Sequence, residues 1–345
     1  MKNIVILTTT RADYGYLQPV IDKLHVASDI NMYLFVSGTH FSREYGISAT
    51  DIEYPITHIS EILMGMDTQS SVSKSFGLAM IQFSEQIIHQ RLDLMVLLGD
   101  RYETLAMAVC CHNQGIPVAH ISGGEVTEGS LDNGYRNCIS QLADLHFVYC
   151  DQYAINVIKK TWSRNVHNIG LLSLETLPEL EDYTPYGYTV IVHPPGQFWI
   201  HELLRALPKD EAFTFIHPNM DAGSALIWSE ILKYTRDNIF RASARSNMPR
   251  SEFIDLLAHS KAIIGNSSCG IYEAPWLGTP TINIGDRQFG RPQASSIINC
   301  EGKALDIREA IEGLDHLPPI DTWTLPFGKM KSSKLIFEHI MEYQC

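Results

Sequence analysis

Short apolar runs recur along this chain, and they constrain its fold more than any other feature. Each run is a few residues long, is rich in Val and Ile, and is bounded by Gly, Asp, Ser or Pro. Runs of this kind are typical of strands that are buried on both faces of a parallel sheet. The predicted strands are Ile4–Leu7, Met32–Val36, Leu92–Leu98, Ile116–Ile121, His146–Tyr149, Val190–Val192, Phe213–Ile216, Ala262–Ile264 and Thr281–Ile284.

Segments with helical periodicity lie between these runs. The clearest are Tyr102–Asn113, Asn133–Ala143, Ala222–Tyr234 and Ser251–His259. Repeated alternation of strand and helix predicts an α/β protein built on parallel sheets.

The length of 345 residues favours two domains. The segment from Leu177 to Tyr188 is acidic, contains two prolines and has no periodicity, so we expect the chain to divide there. This predicts a first domain of residues 1–176 and a second of residues 177–329, with a helix within 330–345 packed back on the first. Two doubly wound domains would place a ligand in the cleft between them.

The charge balance excludes several classes of partner. Lys and Arg number 26 against 39 Asp and Glu, a formal net charge of −13, whereas nucleic-acid and anionic-membrane binders need a basic field. No signal peptide and no apolar run of about 18 residues is present. The seven cysteines form no CxxC pair, which argues against a disulfide framework and a zinc site. We therefore expect a cytoplasmic protein with reduced thiols and no metal.

Polar side chains follow almost every predicted strand. Because ligands bind outside the carboxyl ends of parallel strands, these residues are candidates for one site, although each alone is more often a helix cap or a core residue. They include Arg11, His40, Asp100, Arg101, Ser122, Glu125, Asp132, His193, Asn219 and Arg287.

The segment Gly265–Gly270, GNSSCG, is the sharpest local signal. A serine-rich turn between glycines, placed between a strand and a helix, offers backbone N–H groups, hydroxyls and a positive helix end, so it predicts a phosphate or diphosphate site. It matches neither the P-loop nor the dinucleotide fingerprint, so no nucleoside triphosphate and no NAD cofactor is expected. Glu273, one turn into the helix, is either a ribose ligand or a solvated first-turn glutamate.

Several of these motifs occur together in one order. They are RADYG at 11–15, SGTH at 37–40, GDRYE at 99–103, HISGGEVTEG at 120–129, DNGYR at 132–136, HPNMDAGS at 217–224, GNSSCGIYEAP at 265–275 and GDRQFGR at 285–291. In this the chain resembles the hydrolysing UDP-N-acetylglucosamine 2-epimerases that start sialic acid and related nonulosonic acid pathways. The resemblance runs from residue 3 to about residue 300.

The resemblance implies a GT-B-like pair of Rossmann-type domains, a homo-oligomer (dimer or tetramer), and no cofactor. It implies that UDP is held mainly by the second domain, with the ribose on Glu273. It places the diphosphate near Arg11, Ser267, Ser268, Gly270 and Arg287. It assigns catalysis to Asp100, Asp132 and His193, and the lining of the sugar site to His40, Arg101, Asn219 and Asp221.

Ser122 departs from the family pattern, because many members have Glu there and others His. Two hypotheses stay open. Either Glu125, three residues on, supplies the missing carboxylate, or Asp100 and Asp132 suffice with a water held by Ser122, which we favour slightly. Glu125 also has the plain interpretation that it begins the next helix or pairs with an arginine. The stretch after His193, PPGQFWIH, is shorter than usual and leaves the placement of His193 open.

The expected reaction is elimination of UDP to a glycal, followed by addition of water with inversion at carbon 2. Four alternatives remain at this point: a non-hydrolysing epimerase, a hydrolysing epimerase for UDP-2,4-diacetamido-2,4,6-trideoxyglucose, a GT-B glycosyltransferase, and an inactive nucleotide-sugar binding module. The GGEVTEG motif and the RADYG start disfavour the non-hydrolysing epimerase.

Overall fold

The protein divides into two compact units. A computed structural model describes residues 1–42, 46–64, 68–88, 90–127, 130–178, 184–218, 222–246, 248–320, 325–328 and 330–344. Unit 1 comprises residues 1–126, 130–176 and 327–345, and unit 2 comprises residues 127–129 and 177–326. The main boundary therefore falls at Leu177, within the segment in which the sequence predicts a break.

Unit 1 is built on a parallel sheet of seven strands in the order β3-β2-β1-β4-β5-β6-β7. The strands are β1 (Lys2–Thr8), β2 (Ile30–Ser37), β3 (Ile56–Ser60), β4 (Leu94–Leu98), β5 (Val118–Ile121), β6 (Leu145–Val148) and β7 (Val166–Asn168). The helices are α1 (Arg11–Val26), α2 (Gln69–Ile87), α3 (Tyr102–Gln114), α4 (Asp132–Leu142), α5 (Asp151–Thr161) and α11 (Ser332–Glu342).

Unit 2 has a parallel sheet of six strands in the order β10-β9-β8-β11-β12-β13. The strands are β8 (Tyr188–Ile191), β9 (Phe213–Ile216), β10 (Ala242–Arg245), β11 (Ala262–Gly265), β12 (Thr281–Ile284) and β13 (Ile297–Cys300). The helices are α6 (Ile200–Ala206), α7 (Ser224–Asp237), α8 (Arg250–Ala258), α9 (Cys269–Trp276) and α10 (Ala304–Glu312).

The apolar runs form the middle of each sheet. Every residue of β4, β5, β8, β11 and β12 is buried, because helices cover both faces of these strands. The strand order reverses between β1 and β4 in unit 1 and between β8 and β11 in unit 2. The prediction of two Rossmann-type parallel-sheet domains is confirmed, and the two reversal points are where ligands bind in such sheets.

The last helix, α11, belongs to unit 1. Its carboxyl end is capped by Lys2 of β1, whose Nζ donates to the carbonyl oxygens of Ile340, Met341 and Tyr343 at 2.9, 2.8 and 2.6 Å. The last carbonyls of a helix have no partner within it, and a lysine ammonium supplies three donors. Among the described residues, no helix combines the length and the apolar character needed to cross a membrane.

Candidate active site

His193 and the GNSSCG segment meet at the reversal point of the unit 2 sheet. His193 follows β8, and Asn266 follows the neighbouring strand β11. The Asn266 side chain bonds both main-chain groups of His193: Oδ1 accepts from the His193 N–H at 2.7 Å, and Nδ2 donates to the His193 carbonyl at 2.8 Å. Asn266 is buried, so this pair of bonds fixes the His193 backbone against the next loop.

Two glycines let the predicted anion loop form. Gly265 has φ +140°, and a Cβ there would lie 1.9 Å from the Ile191 carbonyl oxygen. A Cβ on Gly270 would lie 2.6 Å from Cγ2 of Thr281 in β12. Helix α9 begins directly after Ser267 and Ser268, so the loop carries two hydroxyls beside the positive end of a helix.

Arg287 and Gln288 follow β12 and reach the same loop. Arg287 Nη1 donates to the Asn266 carbonyl at 3.3 Å, and Gln288 Nε2 donates to the same oxygen at 2.7 Å. The Arg287 guanidinium therefore contacts the residue directly before Ser267, which adds positive charge to the loop where an anion would bind. The structure thus brings Arg287 and the GNSSCG segment together, as the sequence predicts.

Glu273 is fully buried in α9, so the interpretation as a solvated first-turn glutamate is wrong. Arg250 Nη1, at the start of α8, lies 3.9 Å from Glu273 Oε1. Cys269 is buried beside Ser267, and burial raises the pKa of its thiol to about 12. The thiol is therefore protonated at neutral pH and is not a nucleophile.

The residues after β1 and β2 form a second cluster, in unit 1. Arg11 is the first residue of α1 and makes an ion pair with Asp51. His40 is fully buried, with Nε2 3.0 Å from Thr8 Oγ1 and Nδ1 2.9 Å from Ser48 Oγ. Burial lowers the His40 pKa to about 4, so its ring is neutral at pH 7. Both ring nitrogens are used within unit 1, and a contact of His40 with a sugar stays a prediction.

Arg101 is held by a buried carboxylate. Its Nε and Nη2 donate to Glu103 Oε2 and Oε1 at 3.2 and 3.3 Å, and Glu103 is fully buried at the start of α3. A bidentate pair of this kind fixes the plane of the guanidinium. Sequence reasoning did not single out Glu103, although it stands two residues after Arg101 in the GDRYE motif.

Arg136, a buried residue of α4, links the loop after β4 to the segment before α4. Arg136 Nη2 makes an ion pair with Asp100, which follows β4, and Nη1 donates to the main-chain oxygen of Glu125 at 3.2 Å. Asp132 begins the same helix, one turn before Arg136, and its Oδ2 accepts from Ser130 Oγ at 2.8 Å. The structure therefore brings the predicted residues Asp100, Asp132 and Glu125 together. Arg136 was missed, and its signal is its position four residues after Asp132.

His120 and Ser122 join the ends of β4 and β5. His120 Nε2 lies 2.8 Å from the Gly99 carbonyl, and Nδ1 lies 3.0 Å from Ser140 Oγ. Burial lowers the His120 pKa to about 4, so this ring too is neutral and structural at pH 7. Ser122 Oγ donates to Glu125 Oε1 at 2.5 Å. Glu125 lies before α4, so the interpretation that it begins that helix is wrong.

The remaining predicted residues, Asn219 and Asp221, lie outside the part of the chain that the structure describes. Among the described residues, no group of three or more His, Cys, Asp or Glu side chains is placed to hold a metal ion.

Comparisons with known proteins bear on the family and the fold of this chain. A family model described as UDP-N-acetylglucosamine 2-epimerase matches residues 22–341. The chain is 32% identical to the GDP/UDP-N,N'-diacetylbacillosamine 2-epimerase (hydrolyzing) of Campylobacter jejuni, over 91% of this chain and 88% of that protein. It is 30% identical to the UDP-N-acetylglucosamine 2-epimerase of Neisseria meningitidis, over 90% of this chain and 87% of that protein.

A solved structure has the same fold. The crystal structure of UDP-GlcNAc 2-epimerase from Neisseria meningitidis bound to UDP-GlcNAc matches with a TM-score of 0.82 and 18% identity, over 99% of this chain and 100% of that chain. The prediction of a GT-B-like fold is confirmed.

Proposed function

This chain belongs to the UDP-N-acetylglucosamine 2-epimerase family, and we propose that it is a hydrolysing member, which converts UDP-N-acetylglucosamine and water into UDP and free N-acetylmannosamine. The observation that carries the proposal is the position of the buried Arg136, which pairs with the Asp100 carboxylate, bonds the Glu125 main chain and lies one helical turn after Asp132. Inversion at a sugar carbon needs one group to take a proton and another to return one on the opposite face, and neighbouring carboxylates suit both tasks.

The chemistry explains why the reaction needs an anion-binding loop as well. The hydrogen on carbon 2 has no adjacent carbonyl, so it becomes acidic only as the bond between carbon 1 and the diphosphate breaks. Departure of UDP must therefore be stabilised first, by positive charge and by oriented N–H groups. Loss of the proton and of UDP leaves a glycal, and water then adds to carbon 1 as a proton returns to carbon 2.

We assign the diphosphate to Ser267, Ser268, Gly270 and Arg287, because the structure groups them at the start of α9. The assignments of Arg11 to the diphosphate and of Glu273 to the ribose rest on the motif resemblance.

We assign the proton transfers at carbon 2 to Asp100 and Asp132. Both side chains are partly exposed, so a substrate can reach them. Arg136 holds Asp100 in place, and Glu103 does the same for Arg101, which with His40 is assigned to the sugar. His193 has its backbone fixed by Asn266 and is assigned to the charge that develops as UDP leaves.

A second substrate is favoured by one of the relatives. The Campylobacter jejuni protein is named for N,N'-diacetylbacillosamine, the 2,4-diacetamido-2,4,6-trideoxy sugar. This sugar differs from N-acetylglucosamine at carbons 4 and 6, whereas the reaction takes place at carbons 1 and 2. The same residues can therefore serve either substrate. With UDP-N-acetylglucosamine, the product would feed sialic or related nonulosonic acid synthesis.

The test is to incubate the protein with each nucleotide sugar in D₂O and to identify the products by NMR. The proposal expects UDP, a free sugar with inverted configuration, and deuterium at carbon 2. A nucleotide-linked epimer would instead indicate a non-hydrolysing enzyme, and an unchanged substrate that still binds would indicate a binding module. A cytoplasmic location and a homo-oligomeric state stay predictions.

A further inference from the structure

Ser122 has an unusual backbone. Its φ is +76°, and within the described part of the chain only one other residue besides glycine, Trp162, has a positive φ. The left-handed conformation costs a residue with a Cβ about 1–2 kcal/mol, so it persists only where the surroundings impose it. Here the Ser122 N–H donates to the Phe147 carbonyl at 2.9 Å, and Gly124, with φ +80°, has no room for a Cβ beside the Tyr153 carbonyl.

The Ser122 side chain points to Glu125. Its Oγ donates to Glu125 Oε1 at 2.5 Å, a distance typical of a hydroxyl bound to an ionised carboxylate. Glu125 is 1% exposed and Ser122 is 9% exposed. Both residues are buried, and Ser122 is the less buried of the two.

The pair lies beside Asp100. Ser122 follows β5 and Asp100 follows β4, and these strands are neighbours with Leu98 opposite Ile121. Arg136 bonds both the Asp100 carboxylate and the Glu125 main chain. One guanidinium therefore fixes the position of the Ser122–Glu125 turn relative to a carboxylate that the proposed function assigns to carbon 2.

We propose that Ser122 and Glu125 form a proton relay to the water that adds to carbon 1 in the second half of the reaction. The inference rests on the proposed hydrolysing function. It joins the two hypotheses that the sequence left open, because Ser122 holds the water and Glu125 supplies the carboxylate. Glu125 acts through Ser122, and so it is a positioning residue that also accepts the relayed proton.

The protons and electrons balance as follows. In the elimination, one aspartate takes the carbon 2 proton, the electrons of that C–H bond form the double bond, and UDP leaves with the electrons of its bond to carbon 1. In the hydration, the other aspartate, which starts the cycle protonated and regains its proton from solvent, gives that proton to carbon 2, and the water oxygen bonds to carbon 1. The water proton passes to Ser122 Oγ while the Ser122 proton passes to Glu125. Exchange of the carboxyl protons with solvent resets the site and releases one proton per UDP formed.

This relay predicts a defect confined to hydration. In Glu125→Gln and in Ser122→Ala, elimination continues, so UDP and the 2-acetamido glycal should accumulate while free N-acetylmannosamine appears about 10²-fold more slowly, the scale expected for loss of a general base. Because the two residues act in series, the double variant should be no slower than the slower single variant. Glu85→Gln, an exposed substitution on α2, is the matched control and should behave as the wild type.

The experiment follows UDP, glycal and free sugar together by NMR, with circular dichroism to verify folding of each variant. Supplying the glycal with UDP measures hydration directly. Equal loss of UDP and sugar without glycal in the folded variants would overturn the relay, and so would multiplying effects in the double variant. A wild type that forms no free sugar would instead refute the proposed function itself.

Discussion

Replacement of His146 by leucine should stabilise unit 1. His146 lies in β6, opposite His120 of β5, and its side chain is fully buried. Neither ring nitrogen has a hydrogen-bond partner among the described residues. A buried polar group without a partner costs about 1–3 kcal/mol, and leucine has a similar size without polar atoms. We therefore expect His146→Leu to raise the free energy of unfolding by about 1–3 kcal/mol at pH 7.5.

The stability that His146→Leu gains over the wild type should grow as the pH falls. Burial lowers the His146 pKa to about 3, whereas a histidine in the unfolded chain has its ordinary pKa of 6.5. Below pH 6.5 the unfolded chain therefore binds a proton that the folded chain does not, so this histidine lowers stability as the pH falls. At pH 5 the loss is about 2 kcal/mol, since each pH unit below 6.5 contributes about 1.4 kcal/mol. The leucine variant lacks this loss.

Urea unfolding followed by far-ultraviolet circular dichroism, between pH 5 and 7.5, measures both effects. The difference between His146→Leu and the wild type should widen by about 2 kcal/mol across this range. His112→Leu, which removes an exposed histidine of α3, is the control and should not reproduce the gain in stability at pH 7.5, because it removes no buried ring. A destabilised His146→Leu protein with the pH dependence of the wild type would refute the reasoning, because the ring would then have partners that the variant loses.

Four further variants test the proposed site and its loops. Ser267→Ala combined with Ser268→Ala should weaken UDP binding by about 1–3 kcal/mol in calorimetry, and unchanged affinity in the folded variant would remove these hydroxyls from the diphosphate site. Asp100→Asn and Asp132→Asn should each lower turnover by about 10²-fold or more with little change in UDP affinity, whereas near-normal rates in both would exclude them from proton transfer. Gly265→Ala should lower the midpoint of thermal unfolding and abolish UDP binding, because its Cβ would overlap a carbonyl of β8; a variant that binds UDP normally would show that the loop adapts.

The sequence predicted the centres of both sheets and missed their edges. The four strands without an apolar run are β3, β7, β10 and β13, and each of them is an edge strand. Such strands are partly exposed, as in the alternating pattern of β3, so their sequences carry no continuous signal. Burial on both faces is what makes a strand visible in a single sequence.

The candidate site also contains some residues that could be predicted from the sequence and others that could not. Residues with reactive side chains directly after a strand, such as Asp100 and Ser267, could be predicted from their position. The contacts of Arg136 with Asp100 and of Asn266 with His193 could not, because each joins residues that are distant in the sequence, whereas Glu103 stands two residues from its partner Arg101. Contacts between residues that are far apart in the chain produce no periodic pattern in the sequence.

The cap that Lys2 places on α11 has a consequence for the order in which the protein is made. Domains commonly fold as units, the N-terminal one first, while synthesis continues. Here Lys2 of the first strand, β1, bonds the last helix, α11, and residues 327–345 belong to unit 1. Residues 177–326 of unit 2 leave the ribosome earlier than that helix. We therefore expect unit 1 to complete its folding only after residues 327–345 have been made, and loss of those residues to damage unit 1 more than unit 2.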